Sequence, residues 1–176
     1  MRIFFGTRPL SPWQVLVGRE DDLRRLRNLL LADRVVLLLG RSGSGKTSLV
    51  QAMGGLAHRV EREFPTCKRL DMGHYLVGDL SPDASLAGQI ARFDDSLAPG
   101  TRGLLVVDQL ERCFQREDAS EQAPRWLAQL GNSVHRFPRL TFLCILQEEY
   151  LAQLQALRYQ IPGQFNIQYR LTGFQK

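Results

Sequence analysis

The sequence has 176 residues, which suits a single domain large enough to bury its own core. Hydrophobic residues make up 44% of the chain and charged residues 23%, the proportions of an ordinary globular protein. The formal net charge of +5 would favour polyanions such as phosphates, nucleic acid or acidic lipid, but a solvated arginine-rich surface is the more ordinary explanation.

The cysteines give no sign of a disulfide framework. Cys67, Cys113 and Cys144 are odd in number and form no CxxC pair, which indicates a reducing compartment. The histidines share no ligand spacing with them, so we expect no structural metal site. No apolar run approaches the ~20 residues of a membrane helix, and the N-terminus lacks the features of a signal peptide. We therefore expect a cytoplasmic protein without a membrane partner.

Apolar periodicity and turn residues predict alternating helices and strands along the chain. After an irregular lead-in at residues 1–17, the expected helices cover residues 20–31, 46–58, 82–97, 120–136 and 148–159. Ser81 and Pro82 are expected to begin the third of these helices. The expected strands cover residues 35–39, 67–72, 104–107, 140–146 and 166–171. This alternation predicts a three-layer α/β fold with a mostly parallel sheet.

Three segments change abruptly from apolar to polar where a predicted strand ends. They are residues 40–48, 108–111 and 147–150. Ligands of parallel α/β sheets bind beyond the carboxyl ends of the strands, so these segments supply the candidate site residues.

The first segment carries a phosphate-binding pattern. Residues 40–47 read Gly-Arg-Ser-Gly-Ser-Gly-Lys-Thr and match G-x-x-x-x-G-K-[ST] at every fixed position. Its glycines let the backbone approach phosphate oxygens, and successive N–H groups can form an anion nest. We expect Lys46 to bridge the β- and γ-phosphates and the Thr47 hydroxyl to ligate Mg²⁺. A glycine-serine linker could match by accident, but this pattern follows an apolar run and precedes a predicted helix. The expected nucleotide contacts are Gly40, Arg41, Ser42, Gly43, Ser44, Gly45, Lys46, Thr47 and Ser48.

The second segment supplies a carboxylate. Four apolar residues, 104–107, are followed by Asp108, the pattern of a Walker B strand. Asp108 is expected to hold Mg²⁺ through water beside Thr47. The alternative is an aspartate that only caps a strand end or a turn.

Hydrolysis would also need a group that orients or deprotonates the attacking water. Many P-loop ATPases place a glutamate directly after the Walker B aspartate, but here that position is Gln109. Gln109 could orient a water, as the glutamine of small GTPases does. Glu111 is the nearest carboxylate that could act as the base, and a surface salt bridge is its alternative role.

Several stretches together resemble the novel STAND NTPases, which are signal-transduction ATPases with numerous domains. Gly18-Arg19-Glu20 precedes the first helix, Leu-Leu-Val-Val-Asp-Gln-Leu-Glu occupies residues 104–111, and Leu-Gln-Glu-Glu-Tyr-Leu occupies residues 146–151. Residues 166–171 are also similar to a family stretch, Asn-Arg-Tyr-x-Leu. The resemblance extends from about residue 7 to residue 173.

The resemblance implies an ATP-binding, AAA-like core of the ASCE type, with a five-stranded sheet in the order 5-1-4-3-2. The strand at 140–146 would then lie between the phosphate-loop strand and the Walker B strand. Gly18 and Arg19 match the family segment that packs near the adenine. Gln147 occupies the sensor position, where the family often has arginine, and this departure argues against fast hydrolysis while leaving binding intact.

Family members continue into a helical lid and a winged helix, whereas this sequence ends at Lys176, shortly after the last expected strand. The sequence would then be a fragment, or work with a partner, or have lost its switching. We expect residues 18–176 to form the P-loop NTPase core. Its expected partners are ATP or ADP and a protein or further domains, and a second copy in a nucleotide-dependent homo-oligomer is a further candidate.

The leading hypothesis is an ATP-binding signalling switch with slow hydrolysis. The alternative is a scaffold that holds nucleotide without turning it over, which Gln109 and Gln147 favour. A small-molecule kinase is less favoured because no arginine-rich lid segment follows residue 147. Nucleic-acid binding through an arginine cluster is also disfavoured, since such a cluster on an exposed helix is usually solvated surface; its members are Arg19, Arg24, Arg25 and Arg27.

Overall fold

The computed structural model describes residues 16–52, 55–75 and 85–173. Its α-helices are α1 (Glu20–Ala32), α2 (Lys46–Gln51), α3 (Leu56–Arg59), α4 (Met72–Tyr75), α5 (Leu86–Asp95), α6 (Ala119–Arg136) and α7 (Leu151–Ala156). Its strands are β1 (Val35–Gly40), β2 (Thr66–Asp71), β3 (Gly103–Asp108), β4 (Leu140–Gln147) and β5 (Ile167–Arg170). Short 3-10 helices cover Leu110–Phe114, Glu148–Tyr150, Arg158–Gln160 and Pro162–Phe165. Most of the predicted lead-in, residues 1–15, lies outside the described residues.

The strands form one five-stranded sheet in the order β2-β3-β4-β1-β5. Every neighbouring pair is parallel, so the sheet is wholly and not just mostly parallel. The predicted order is confirmed, and β4 lies between β1 and β3. β1, β3 and β4 read as continuous apolar runs because helices cover both faces of a parallel sheet.

Alternate residues of β1, β3 and β4 enter opposite layers of the core, as the pleat requires. In β1, Leu37 and Leu39 pack with Phe93 and Leu127 on the side of α5 and α6. On the other side, Val36 and Leu38 of β1 pack against helices α1 to α3. The helix residues of this layer include Leu26, Leu30 and Leu49. The two buried clusters enclose the sheet and confirm the three-layer arrangement.

Two helices bury the faces that their periodicity predicts. Leu23, Leu26 and Leu30 are the buried residues of α1, whose first turn is acidic, as the helix dipole favours. In α6 the buried residues include the predicted stripe of Ala123, Leu127, Leu130 and Val134. Among the described helices, none combines the length and the apolar character needed to cross a bilayer.

The single helix predicted over residues 46–58 is wrong. The structure has α2 and α3 instead, because Ala52 takes extended backbone angles and ends α2. Gly55 then approaches the helix closely, and a Cβ on it would lie 2.7 Å from the carbonyl oxygens of both Leu49 and Ala52. Glycine at position 55 therefore permits the start of α3 to lie this close to the end of α2.

Two further helices are shorter than predicted. α5 begins at Leu86, where the hydroxyl of Ser85 accepts a hydrogen bond from the N–H of Gly88, so Ser85 is the cap of the helix. The predicted cap and first residue, Ser81 and Pro82, lie outside the described residues. The helix predicted at 148–159 is α only within α7, and 3-10 turns flank it.

Candidate nucleotide-binding site

The parallel sheet brings the carboxyl ends of its strands to one edge. In the strand register, Gly40 at the end of β1 pairs with Gln147 at the end of β4. Asp71 at the end of β2 pairs with Asp108 at the end of β3. The three polar segments predicted from the sequence therefore meet at this edge, together with the end of β2.

The phosphate loop occupies the connection between β1 and α2. Gly43 and Gly45 have φ values of 74° and 91°, in the left-handed region where a side chain would be strained. A Cβ added at either position would have no heavy atom within 4 Å, so the backbone angles alone explain why glycine is needed there. The wound loop leads directly into Lys46, the first residue of α2.

Gly40 is a glycine for a different reason. A Cβ there would lie 2.6 Å from the Oγ of Ser44 and 2.8 Å from the carbonyl oxygen of Leu171. The loop thus folds back against the end of its own strand. The Oγ of Ser44 is buried and has no hydrogen-bond partner among the described residues.

Lys46 is folded back onto the loop that carries it. Its ammonium donates to the carbonyl oxygens of Gly40 at 2.7 Å and Arg41 at 2.9 Å. Lys46 is buried, and burial lowers its pKa, while the carboxylates of Glu111 and Glu149 act in the opposite direction. A ligand phosphate would have to replace these two carbonyls as the partner of the ammonium.

The exposed part of the loop carries one ion pair. Arg41 is exposed, and its Nε donates to the carboxylate of Glu148 at 3.1 Å. Ser42 is exposed as well, whereas Ser48 is buried on α2. These side chains belong to the same loop-helix connection, as the sequence pattern requires.

Thr47 and Asp108 meet directly. The Thr47 hydroxyl donates to Oδ2 of Asp108 at 3.1 Å, and Asp108 is only 2% exposed. The same oxygen accepts from Nε of Arg69 at 2.8 Å and contacts its NH2 at 2.7 Å. The other oxygen, Oδ1, accepts from the N–H of Gln109 at 2.8 Å. Asp108 is therefore a buried carboxylate with a hydroxyl, a guanidinium and an amide as partners.

Asp71 and Gln109 extend this cluster toward β2. The Asp71 carboxylate accepts from NH2 of Arg69 at 3.2 Å and from Nε2 of Gln109 at 2.7 Å. Oε1 of Gln109 accepts from Nε of Arg112 at 3.0 Å, so both ends of this amide have partners. Gln109 has a φ of 58°, an uncommon angle for a residue other than glycine and one that often marks functional sites.

Glu111 lies beneath this edge, in the 3-10 helix Leu110–Phe114. It is 5% exposed, which does not fit the alternative of a surface salt bridge. Its Oε2 accepts from the N–H of Gln147 at 3.2 Å, and the stacked rings of Phe114 and Tyr150 join the two adjoining 3-10 segments. Burial raises the pKa of Glu111, and hydrogen bonds from the backbone partly oppose this.

Arg19 lies against the phosphate loop. Its NH2 donates to the carbonyl oxygen of Ser44 at 3.3 Å, and its NH1 donates to Thr172 O at 2.8 Å and to Asp22 at 2.9 Å. The N–H of Gly18 donates to Glu20 at 3.3 Å. The structure thus places this segment beside the loop, and its contact with an adenine stays a prediction.

The donor set fits a magnesium ion bound jointly with phosphates. Hydroxyl and carboxylate oxygens are the ligands that Mg²⁺ prefers, and Mg²⁺ usually takes one or two from the protein and the rest from water and phosphate. Thr47 and Asp108 offer such oxygens 3.1 Å apart. Within the described ranges, no group of three or more His, Cys, Asp or Glu side chains could hold a metal.

Sequence reasoning missed Arg69 and Asp71. Both belong to β2, which was predicted only as a strand, over residues 67–72, and given no functional role. The sequence did contain a signal for a functional role, since an arginine and an aspartate lie near the carboxyl end of this predicted strand. The predicted sheet order places that end beside the end of the Walker B strand. Strand register, which the local sequence does not reveal, puts them next to Asp108.

The fold is shared with solved P-loop ATPases. A Walker-type ATPase of Pyrococcus abyssi superposes with a TM-score of 0.64 at 17% identity, covering 96% of this chain and 57% of that one. The ORC1 protein of Aeropyrum pernix, solved in complex with DNA, gives 0.63 at 16% identity, covering 93% and 47%. The ORC2 protein of the same organism, solved with ADPNP and ADP, gives 0.63 at 18% identity, covering 94% and 50%. The chain thus spans about half the length of these proteins.

The fold and the loop define a P-loop NTPase nucleotide-binding domain. The sequence profile of the family described as Novel STAND NTPase 1 matches residues 12–168, nearly the whole sequence. The chain belongs to this family, as the resemblance in the sequence implied. No curated protein matches it.

Proposed function

We propose that this domain binds Mg-ATP at the described edge of the sheet and acts as a nucleotide-dependent switch with slow hydrolysis. The observation that carries the proposal is the hydrogen bond of 3.1 Å between Thr47 and Asp108, beside the loop that holds Lys46. A hydroxyl and a buried carboxylate next to a lysine and a glycine-rich loop make a phosphate and magnesium site.

Each part of the loop has a task in binding. The N–H of Ser44 donates to the carbonyl oxygen of Arg41 at 3.1 Å, so the other backbone amides of residues 41–47 would be the donors to phosphate oxygens. Lys46 would transfer its hydrogen bonds from the loop carbonyls to the phosphates. Thr47 and Asp108 hold the metal, whose charge offsets that of the phosphates. Arg19, which donates to the Ser44 carbonyl oxygen of the loop, and its neighbour Gly18 are proposed to contact the base side of the nucleotide.

Hydrolysis requires a base at the same edge. Glu111 is proposed for this role because its raised pKa brings it closer to neutral pH, where a general base is most effective. Gln109 and Gln147 are the other candidates to orient water or to sense the γ-phosphate. Neither glutamine carries a charge, which supports slow turnover.

A scaffold that binds nucleotide without hydrolysis is the second candidate function. The observation in its favour is that the Gln109 amide is held by Asp71 and Arg112, so each end of it already makes one hydrogen bond that would compete with a water. In this case the domain would hold a protein partner or a second copy of itself in a nucleotide-dependent assembly.

Nucleic acid is a less favoured partner. On α1, Arg24 is paired with Asp21 and Arg27 with Glu63. Pairing lowers the charge that these arginines can offer to a phosphate backbone. A cytoplasmic location stays part of the proposal.

Calorimetric titration with ATP and ADP, with and without Mg²⁺, together with phosphate-release assays, tests these alternatives. We expect Mg-dependent binding to the wild type that Lys46→Ala removes, and slow phosphate release that Glu111→Ala removes. Lys68→Ala is the matched control, since Lys68 lies on β2 and bonds to Gln89, outside the site. Tight binding with no phosphate release would favour the scaffold, and no binding of any Mg-nucleotide would refute both functions.

A further inference from the structure

Arg69 forms an ion pair with Asp108, the buried carboxylate at the centre of the site. It projects from β2 and places both Nε and NH2 on Oδ2 of Asp108, at 2.8 and 2.7 Å. Because Asp108 is 2% exposed, its negative charge needs a nearby positive charge in the nucleotide-free protein. The Thr47 hydroxyl also donates to Oδ2, so this oxygen already has three donors.

The ion pair between Arg69 and Asp108 would compete with metal binding at the same carboxylate oxygen. A divalent cation held by Thr47 and Asp108 would compete with the guanidinium for Oδ2, and two cations on one carboxylate repel each other. The guanidinium has other acceptors within reach. Its NH2 also contacts Asp71 at 3.2 Å, and the Gln51 side-chain oxygen, in the amide orientation that satisfies its neighbours, accepts from Nε and NH1 at 3.2 Å.

We infer that Arg69 is a tethered counter-ion that competes with Mg²⁺ for Asp108 and moves to Asp71 when the metal binds. Arg69 is thus a positioning residue that sets the magnesium concentration needed for tight binding of the nucleotide. Asp71 acts through Arg69, as the acceptor that receives the displaced guanidinium. The inference rests on the proposed binding of Mg-nucleotide at this edge.

Fluorescence titration with an ADP analogue over a range of Mg²⁺ concentrations measures this competition without any turnover. The readout is the Mg²⁺ concentration that gives half of the magnesium-dependent gain in nucleotide affinity. Arg69→Met removes the competing hydrogen bonds, and we expect this concentration to fall about tenfold, the effect of losing one charge-assisted pair. Asp71→Asn removes the charge that receives the guanidinium, and we expect the concentration to rise about threefold.

A general change of charge near the metal would also shift the two single variants in these directions. The double variant Arg69→Met/Asp71→Asn separates the explanations. If Asp71 acts through Arg69, the effect of Asp71→Asn disappears once Arg69 is absent, whereas independent charges give additive effects. Arg112→Met is the matched control, because Arg112 is an exposed arginine at the same edge that bonds to Gln109 and not to Asp108.

The supporting result is a lower magnesium requirement for Arg69→Met, a higher one for Asp71→Asn, non-additivity in the double variant, and a change of at most about twofold for Arg112→Met. An unchanged or higher requirement for Arg69→Met overturns the inference while leaving Mg-nucleotide binding in place. If Arg69→Met does not fold, as circular dichroism would show, Arg69→Gln, which also removes the positive charge, replaces it in the single and double variants and is judged by the same criteria. Wild type and all variants failing to bind would overturn both the inference and the proposed function.

Discussion

Replacing Glu111 with glutamine tests the proposed base without disturbing its surroundings. The carboxylate is 5% exposed, and Oε2 accepts a hydrogen bond from the N–H of Gln147 at 3.2 Å. Glutamine has the same shape and keeps an acceptor oxygen for that bond, but it cannot take a proton from water. Because a general base contributes about 10²–10⁴-fold, we expect kcat for phosphate release to fall about 100-fold or more.

The same substitution should stabilise the nucleotide-free protein at neutral pH. Burial raises the pKa of Glu111, so the folded protein holds this proton more tightly than the unfolded chain. The contribution of Glu111 to stability therefore falls as pH rises from about 4.3, the usual pKa of glutamate, through the raised folded value. Removing this buried charge should therefore raise Tm at neutral pH, and each 1 kcal/mol gained corresponds to about 2–4 °C for a chain of this size.

The assays are steady-state phosphate release, calorimetric ADP binding and thermal melts between pH 4 and 8 in EDTA. We expect the ADP Kd to stay unchanged, and the gain in Tm over wild type to shrink toward zero at pH 4. Glu149→Gln, at an exposed carboxylate of the same sheet edge, should leave kcat and Tm close to wild type. An unchanged kcat in Glu111→Gln would remove Glu111 as the base, and a lower Tm at neutral pH would contradict the electrostatic argument.

Two glycine substitutions test close approaches in the structure. Gly40→Ala places a Cβ 2.6 Å from Ser44 Oγ and 2.8 Å from Leu171 O. We therefore expect calorimetry to show at least a tenfold loss of nucleotide affinity, roughly 1.4 kcal/mol. The control is Gly173→Ala, which should bind nucleotide as the wild type does because no heavy atom lies within 4 Å of the added Cβ. Gly131→Ala places a Cβ 1.9 Å from the carbonyl oxygen of Gln160, and we expect Tm to fall by an amount equivalent to about 1–3 kcal/mol, although alanine is the better helix former. A Tm for Gly131→Ala at or above that of wild type would show that α6 can move away from Gln160 at little cost.

The parts of the fold that depend on local pattern were predictable from the sequence. β1, β3 and β4 are continuous apolar runs, and the positions of Lys46 and Asp108 follow from fixed spacing after such runs. In a parallel sheet those runs must be covered on both faces, so the layers and the common edge follow without knowledge of side-chain contacts.

The parts that depend on tertiary contacts were not predictable. Arg69 contacts Asp108 only because the register of β2 on β3 pairs Asp71 with Asp108, and a shift by one residue would turn its side chain to the other face. The end of α2 depends on how closely Gly55 approaches Leu49, which no periodicity reveals. The Glu111 carboxylate likewise accepts a hydrogen bond from the N–H of Gln147, which is 36 residues away in sequence.

Arg19 joins three parts of the chain that are far apart in sequence. One guanidinium holds the first turn of α1 through Asp22, the phosphate loop through Ser44 O and the chain after β5 through Thr172 O. A fluctuation that displaces the Arg19 side chain breaks its contacts with all three segments at once, so we expect their amides to show correlated protection against exchange with solvent. A bound phosphate that rigidifies the loop would therefore slow amide exchange in the first turn of α1 and in the chain after β5, although it contacts neither segment.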